Sequence, residues 1–140
     1  MMRLFMLAAL ALPLAACAQQ ANTETRLGTR EARDLARAIE GKVAGEPVSC
    51  VNAYRGSPDL HPIGDHILLY KVSKDLVYRN NLQGACNGLA QGDTLVLNRV
   101  TSQYCRGDIA RVVNLQSGMQ SGSCALGDFI PYRTPGTNGH

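Results

Sequence analysis

The 140-residue chain has five cysteines but no Cys-x-x-Cys pair, which argues against a thioredoxin-like redox site and against a zinc knuckle. It has no Gly-x-Ser-x-Gly, the elbow that exposes a nucleophilic serine, so acyl-transfer chemistry has little support. It has no block of lysine or arginine: 14 basic and 11 acidic residues are mixed along the chain, for a formal net charge of +3. The clustered basic stripe that marks nucleic-acid binding is therefore missing, and no nucleic-acid partner is expected. No apolar run reaches the roughly 20 residues that a membrane-spanning helix requires, and no segment repeats at a fixed period.

What is present begins with one charge, Met1-Met2-Arg3, and the apolar run Leu4-Phe5-Met6-Leu7-Ala8-Ala9-Leu10-Ala11-Leu12, broken at Pro13. This order is the layout of a cleavable signal segment, predicted over residues 1–16. The next residues, Leu14-Ala15-Ala16-Cys17, resemble the bacterial lipobox. The resemblance implies that the Cys17 thiol receives a diacylglycerol, that cleavage precedes Cys17, and that the new amino terminus takes a further fatty acid such as palmitate. Two or three acyl chains hold a protein on a bilayer essentially permanently. Ala18 stands where some inner-membrane lipoproteins carry aspartate, so the expected location is the cell envelope, on the periplasmic face of the outer membrane. Loss of Arg3 leaves 13 basic against 11 acidic residues, a net of about +2. Residues 17–28 are the lipidated cysteine and a polar tether, and at ~3.3 Å per extended residue the tether reaches roughly 35 Å.

Residues 29–133 carry the folding signals of a single domain, and residues 134–140, with Pro135, Gly136 and Gly139, read as a disordered tail. Thr29 is a candidate N-cap for a helix over 30–40, with Ala32, Leu35, Ala36 and Ile39 as its apolar stripe and Gly41 at its end. Arg30, Arg33, Asp34, Arg37 and Glu40 then form a solvated face. After Pro47 the pattern changes to short β-branched and aromatic runs at 48–54, 66–72, 76–80, 94–101, 109–115 and 123–130. These are punctuated by Ser73-Lys74-Asp75, Asn87-Gly88, Gln91-Gly92-Asp93 and the polar stretch 118–122. The predicted fold is mainly β: a small antiparallel barrel or sandwich of five to six strands with one N-terminal amphipathic helix.

Cys50, Cys86, Cys105 and Cys124 remain beside Cys17, and an even number in an exported chain reads as a disulfide framework. Three connectivities are open. The expected one joins Cys86 to Cys105, which flank a predicted strand, and Cys50 to Cys124. The contexts Val48-Ser49-Cys50-Val51, Cys86-Asn87-Gly88-Leu89, Cys105-Arg106-Gly107-Asp108 and Cys124-Ala125-Leu126-Gly127-Asp128-Phe129 resemble a family of small proteobacterial lipoproteins of unknown function with a four-cysteine pattern. The likeness covers about residues 41–133, implies an exported domain and brings no activity. The chain departs from some relatives in having no tryptophan, which weakens any aromatic-lined pocket.

His61, Asp65 and His66 form the one His/carboxylate cluster. They are weak candidates for a metal site, because Pro62 and Gly64 predict a loop and the spacing matches no established ligand set. Asp108, after Cys105-Arg106-Gly107, is a candidate carboxylate but more readily closes its own turn. Tyr54, Tyr70, Tyr78, Tyr104 and Tyr132 could stack on a ligand, though such residues on alternating strands are expected as half-buried walls. No catalytic residue and no cofactor is expected. The function expected is therefore a non-enzymatic binding or structural module meeting an envelope protein partner. The alternative is a small periplasmic hydrolase or metal-handling protein using His61, Asp65, His66 or Asp108.

The anchor yields the first prediction. Cys17→Ser is expected to leave an unprocessed precursor that incorporates no labelled fatty acid, and a serine variant that still incorporates label and matures to the same size contradicts it.

Overall fold

Ile67, Leu68, Leu69 and Tyr70 are consecutive and all buried in the computed structural model, which describes residues 27–53, 59–98 and 101–136. Cys17, the leader, most of the tether, Tyr54 and His140 lie outside those residues. A strand in which neighbouring side chains point to opposite faces can bury four in a row only if both faces are covered. The architecture supplies both covers.

In chain order the elements are α1 (Thr29–Ala38), β1 (Val43–Ala44), β2 (Cys50–Asn52), β3 (Asp59–Ile63), β4 (Ile67–Lys71), β5 (Leu76–Asn81), a 3-10 turn (Leu89–Gln91), β6 (Thr94–Leu97), β7 (Gln103–Cys105), β8 (Ile109–Val113), β9 (Gln120–Ala125) and β10 (Phe129–Arg133). All pairing is antiparallel. One sheet runs β1-β10-β5-β4-β3, a second is β2-β7, and a third is β6-β8-β9. The sheets do not close, so the fold is sandwich-like and not a barrel.

Helix α1 covers one face of the five-stranded sheet, setting Leu35 against Ile63, Ile67, Leu69 and Val77, with Leu27, Ala38 and Ile39 at the margin. The predicted stripe is thus corrected: Ala32 and Ala36 are exposed. Two alanines bury little area, so the helix turns its larger side chains, Leu35 and Ile39, to the sheet. The N-cap is Gly28 and not Thr29. The Gly28 N–H is satisfied by the Glu31 carboxylate at 2.8 Å, half of a capping box.

The other face of the same sheet packs on the two smaller sheets through Leu68, Tyr70, Leu82, Tyr104, Ala110, Val112, Leu126 and Phe129. Three of the tyrosines belong to this core. Tyr70 stacks on Tyr78 at 6.2 Å and meets Tyr104 edge-on at 5.7 Å, while Tyr78 meets Phe129 edge-on at 6.3 Å, all within the range of favourable ring pairs. The Tyr70 hydroxyl donates to the carbonyl of Asn52 at 3.0 Å, tying β4 to β2 across the sandwich.

Asn80, the one buried polar side chain among the described residues, is fully enclosed. Its amide donates to the Gly127 carbonyl at 2.8 Å and accepts from the Gly127 N–H at 2.8 Å. The predicted strand over 123–130 is therefore two strands. The chain leaves β9 at Ala125, crosses between sheets at 126–128 and joins β5 as β10, with Phe129 opposite Asn80. No side chain larger than hydrogen fits at 127, where a Cβ would strike the backbone carbonyl of Asn81.

The disulfides also differ from expectation: Cys50 joins Cys105 and Cys86 joins Cys124. Strand register decides the first, because Cys50 and Cys105 are direct partners across β2 and β7 with Cα atoms 4.1 Å apart, the close spacing of a non-hydrogen-bonded pair. Cys86 and Cys124 sit together in the main core with Cα atoms 5.1 Å apart. The sequence separations, 55 and 38 residues, make each bridge worth on the order of 4 kcal/mol in unfolded-chain entropy.

Removing the buried amide tests this packing. Asn80→Ala leaves two backbone groups of Gly127 unpaired and is expected to cost about 2 to 4 kcal/mol, whereas the exposed Asn81→Ala is expected to stay within about 0.5 kcal/mol. Denaturant midpoints measure both, and equal midpoints contradict the expectation.

Candidate functional site

The sandwich is open where β3, the edge of the five-stranded sheet, faces β6, the edge of the three-stranded one. Leu60 and Pro62 of β3, Leu89, and Thr94 and Leu95 of β6 line a cleft of about 370 Å³ that reaches down to Leu68. Pro62 and Leu89 also line a second hollow of about 540 Å³ under the start of α1, where Gly28, Glu31, Asp34, His61, Gly64 and Ala90 meet. One part of the site is largely apolar and the other carries charge and an imidazole.

Local chemistry explains these walls. The segment 59–63, expected as a loop, is the edge strand β3, and its inward residues Leu60 and Pro62 alternate with outward Asp59 and His61. Proline lacks the N–H that a central strand needs, and an edge strand tolerates it. Gly64 turns the chain into β4 with φ 62°, in the left-handed region open to glycine. The Glu31 carboxylate lies directly over it, so a Cβ there would push that side chain aside.

The sequence cluster is not brought together as a ligand set. His61 is exposed on β3. Asp65 turns its carboxylate to the Ala90 N–H at 2.8 Å, and its carbonyl accepts from the Cys86 N–H at 2.8 Å. Half-buried His66 offers its carbonyl to the Leu82 N–H at 2.8 Å. Among the described residues no group of three His, Cys, Asp or Glu side chains could hold a metal ion. Asp108 closes its own turn: its carboxylate accepts from the Cys105 N–H at 2.8 Å and its N–H donates to the Cys105 carbonyl at 3.1 Å. Arg106 of the same turn pairs with Asp128 at 3.3 Å, both side chains being partly exposed.

Two features escape the sequence pattern. The Leu60/Pro62 wall has the period of two that marks a strand, but proline and glycine hid it. The β8–β9 turn carries Leu115, expected at the end of a strand, and Met119, within a stretch expected to be polar, at 73% and 69% exposure.

Fold and site together define a disulfide-bonded β sandwich with one covering helix and an open-sided cleft. The chain belongs to DUF6491, a family of unknown function, which it matches over residues 1–128, up to the residue before β10. No curated protein and no solved structure matches it.

If Asp65 serves structure, Asp65→Ala is expected to lower stability by about 1 kcal/mol through the unpaired Ala90 N–H. Asp65→Asn, which keeps an acceptor oxygen, restores most of that, and exposed His61→Ala changes stability by less than about 0.5 kcal/mol. Thermal unfolding of the three variants is the check.

Proposed function

We propose that this protein is exported, lipid-anchored through Cys17 on the periplasmic face of the outer membrane, and acts there by contact as a binding or structural module without turnover. The observation that carries the contact reading is the commitment of its candidate carboxylates: Asp65 and Asp108 each spend an oxygen on a backbone N–H of a neighbouring turn. General acid–base catalysis needs a group free to exchange a proton with a second group in reach, and these two act as structural acceptors. The two disulfides suit an oxidising compartment, and the order of charge, apolar run, small residues and cysteine supports the anchor. The cleft between β3 and β6 offers a preformed concave surface for an envelope partner.

The test is genetic and biochemical. His61, Asp65, His66 and Asp108 are replaced singly by alanine and assayed for rescue of the envelope phenotype of a deletion strain. Rescue by all four is expected. A variant that stays folded and lipidated, fails to rescue, and has lost a bound metal or a measurable hydrolysis overturns the contact reading.

A further inference from the structure

The two most exposed large apolar side chains among the described residues both stand on the β8–β9 turn. Leu115 and Met119 stand in solvent, 73% and 69% exposed, on a turn fixed from within by Asn114. The Asn114 side-chain oxygen accepts from the N–H groups of Gln116 and Ser117 at 3.1 and 2.9 Å and from the Ser117 hydroxyl at 3.1 Å. Its backbone N–H donates to the Met119 carbonyl at 2.9 Å. The turn is therefore held in shape with its apolar side chains outward.

Its place in the fold gives it a direction. The Asn114 amide donates to Asp93 at 2.8 Å, and Asp93 packs on Gly88 at the start of the 3-10 turn. That turn is bonded to Asp65 of the β3–β4 connection, and the same connection lies under Glu31 at the start of α1. The apolar tip and the point where the tether enters α1 thus share one end of the sandwich. Residues 112–123 carry no charged side chain; the carboxylates at the same end, Glu31, Asp65 and Asp93, lie behind the tip as hydrogen-bond acceptors of its turns, and the opposite end, around the β4–β5 connection, carries Lys71, Lys74, Asp75 and Arg133. An uncharged tip enters a bilayer interface without desolvating an ion.

We propose that the β8–β9 tip inserts Leu115 and Met119 into the phospholipid surface to which Cys17 is tethered. This orients the domain with its N-terminal end on the membrane and the β4–β5 connection away from it. The orientation rests on the anchor proposed above, whose tether of residues 18–28 spans at most roughly 35 Å, so the tip never leaves the vicinity of the lipid.

The chain has no tryptophan, so one introduced indole reports alone. Lipidated full-length Leu115→Trp and Met119→Trp proteins are reconstituted on phosphatidylethanolamine–phosphatidylglycerol vesicles with acyl chains brominated near the headgroup, with Val43→Trp, exposed on β1, as the distal control. Quenching with a blue shift at 115 and 119 but not at 43 is expected, and no quenching at 115 and 119 on vesicle-bound protein overturns the proposal. If mass spectrometry finds Cys17 without lipid, the anchor reading fails. The same variants added unlipidated to the vesicles then decide: quenching keeps the tip as a lipid contact, and its absence removes it. Leu115→Ser with Met119→Ser, both exposed and expected to leave the melting temperature unchanged, should lower vesicle partition of the unlipidated chain at least ~10-fold. A photocrosslinker at 115 that captures an envelope protein instead of lipid also overturns the proposal.

Discussion

The hydrogen-bonded exchange between the Asn80 side chain and the Gly127 backbone lies where the chain passes from the three-stranded sheet to the five-stranded one. The segment around it carries several long-range ties in turn. Cys124 is bridged to Cys86, and Ala125 pairs with Gln83. The Leu126 carbonyl takes the Gly107 N–H at 2.8 Å and the Gln83 side chain at 3.0 Å. Asp128 pairs with Arg106, and Phe129 bonds Val48 in both directions. A chain that leaves one sheet for another must abandon its ladder partners, and backbone polar groups left unpaired in a core are costly. Asn80 supplies the donor and the acceptor that the crossing residue lacks, in the geometry a neighbouring strand would have provided.

Fixing that crossing fixes the rest. With β10 laid beside β5, the five-stranded sheet buries one face under α1 and the other against the small sheets, which is why β4 is apolar throughout. Because β3 and β6 are both edges and do not pair, the sandwich keeps an open side, and the cleft forms there. The turns at its N-terminal end are locked by single carboxylates, Glu31, Asp65 and Asp93. Of the groups that the sequence marks for chemistry, Asp65 is one that rigidifies this end.

The mainly β character, the single helix and the Ser73-Lys74-Asp75 hairpin were legible, because periodicity and turn residues are local properties. What was not legible depended on partners distant in the chain. Pro62 and Gly64 carry the composition of a loop; Gly64 does lie in a turn, and only the edge position of β3 makes Pro62 compatible with a strand. The stretch 123–130 has continuous strand propensity, and only the contact of Gly127 with Asn80, 47 residues away, divides it. Proximity along the chain favoured joining Cys86 to Cys105, whereas the register of β2 on β7 places Cys105 opposite Cys50. Asp108 was readable as a turn residue from Gly107 beside it. Asp65 was not readable as a cap, because Ala90 lies 25 positions on. The apolar tip at Leu115 and Met119 was hidden by its polar neighbours.

The account stands on the crossing being part of the cooperative core and not a linker between two independently stable sheets. Native-state hydrogen exchange at the Gly127 amide tests this most directly. Protected by Asn80, it is predicted to exchange only through global unfolding, with an opening free energy equal to that of Phe129 and Leu69. Exchange of Gly127 through a local opening, well below that of the strands on either side, would contradict it.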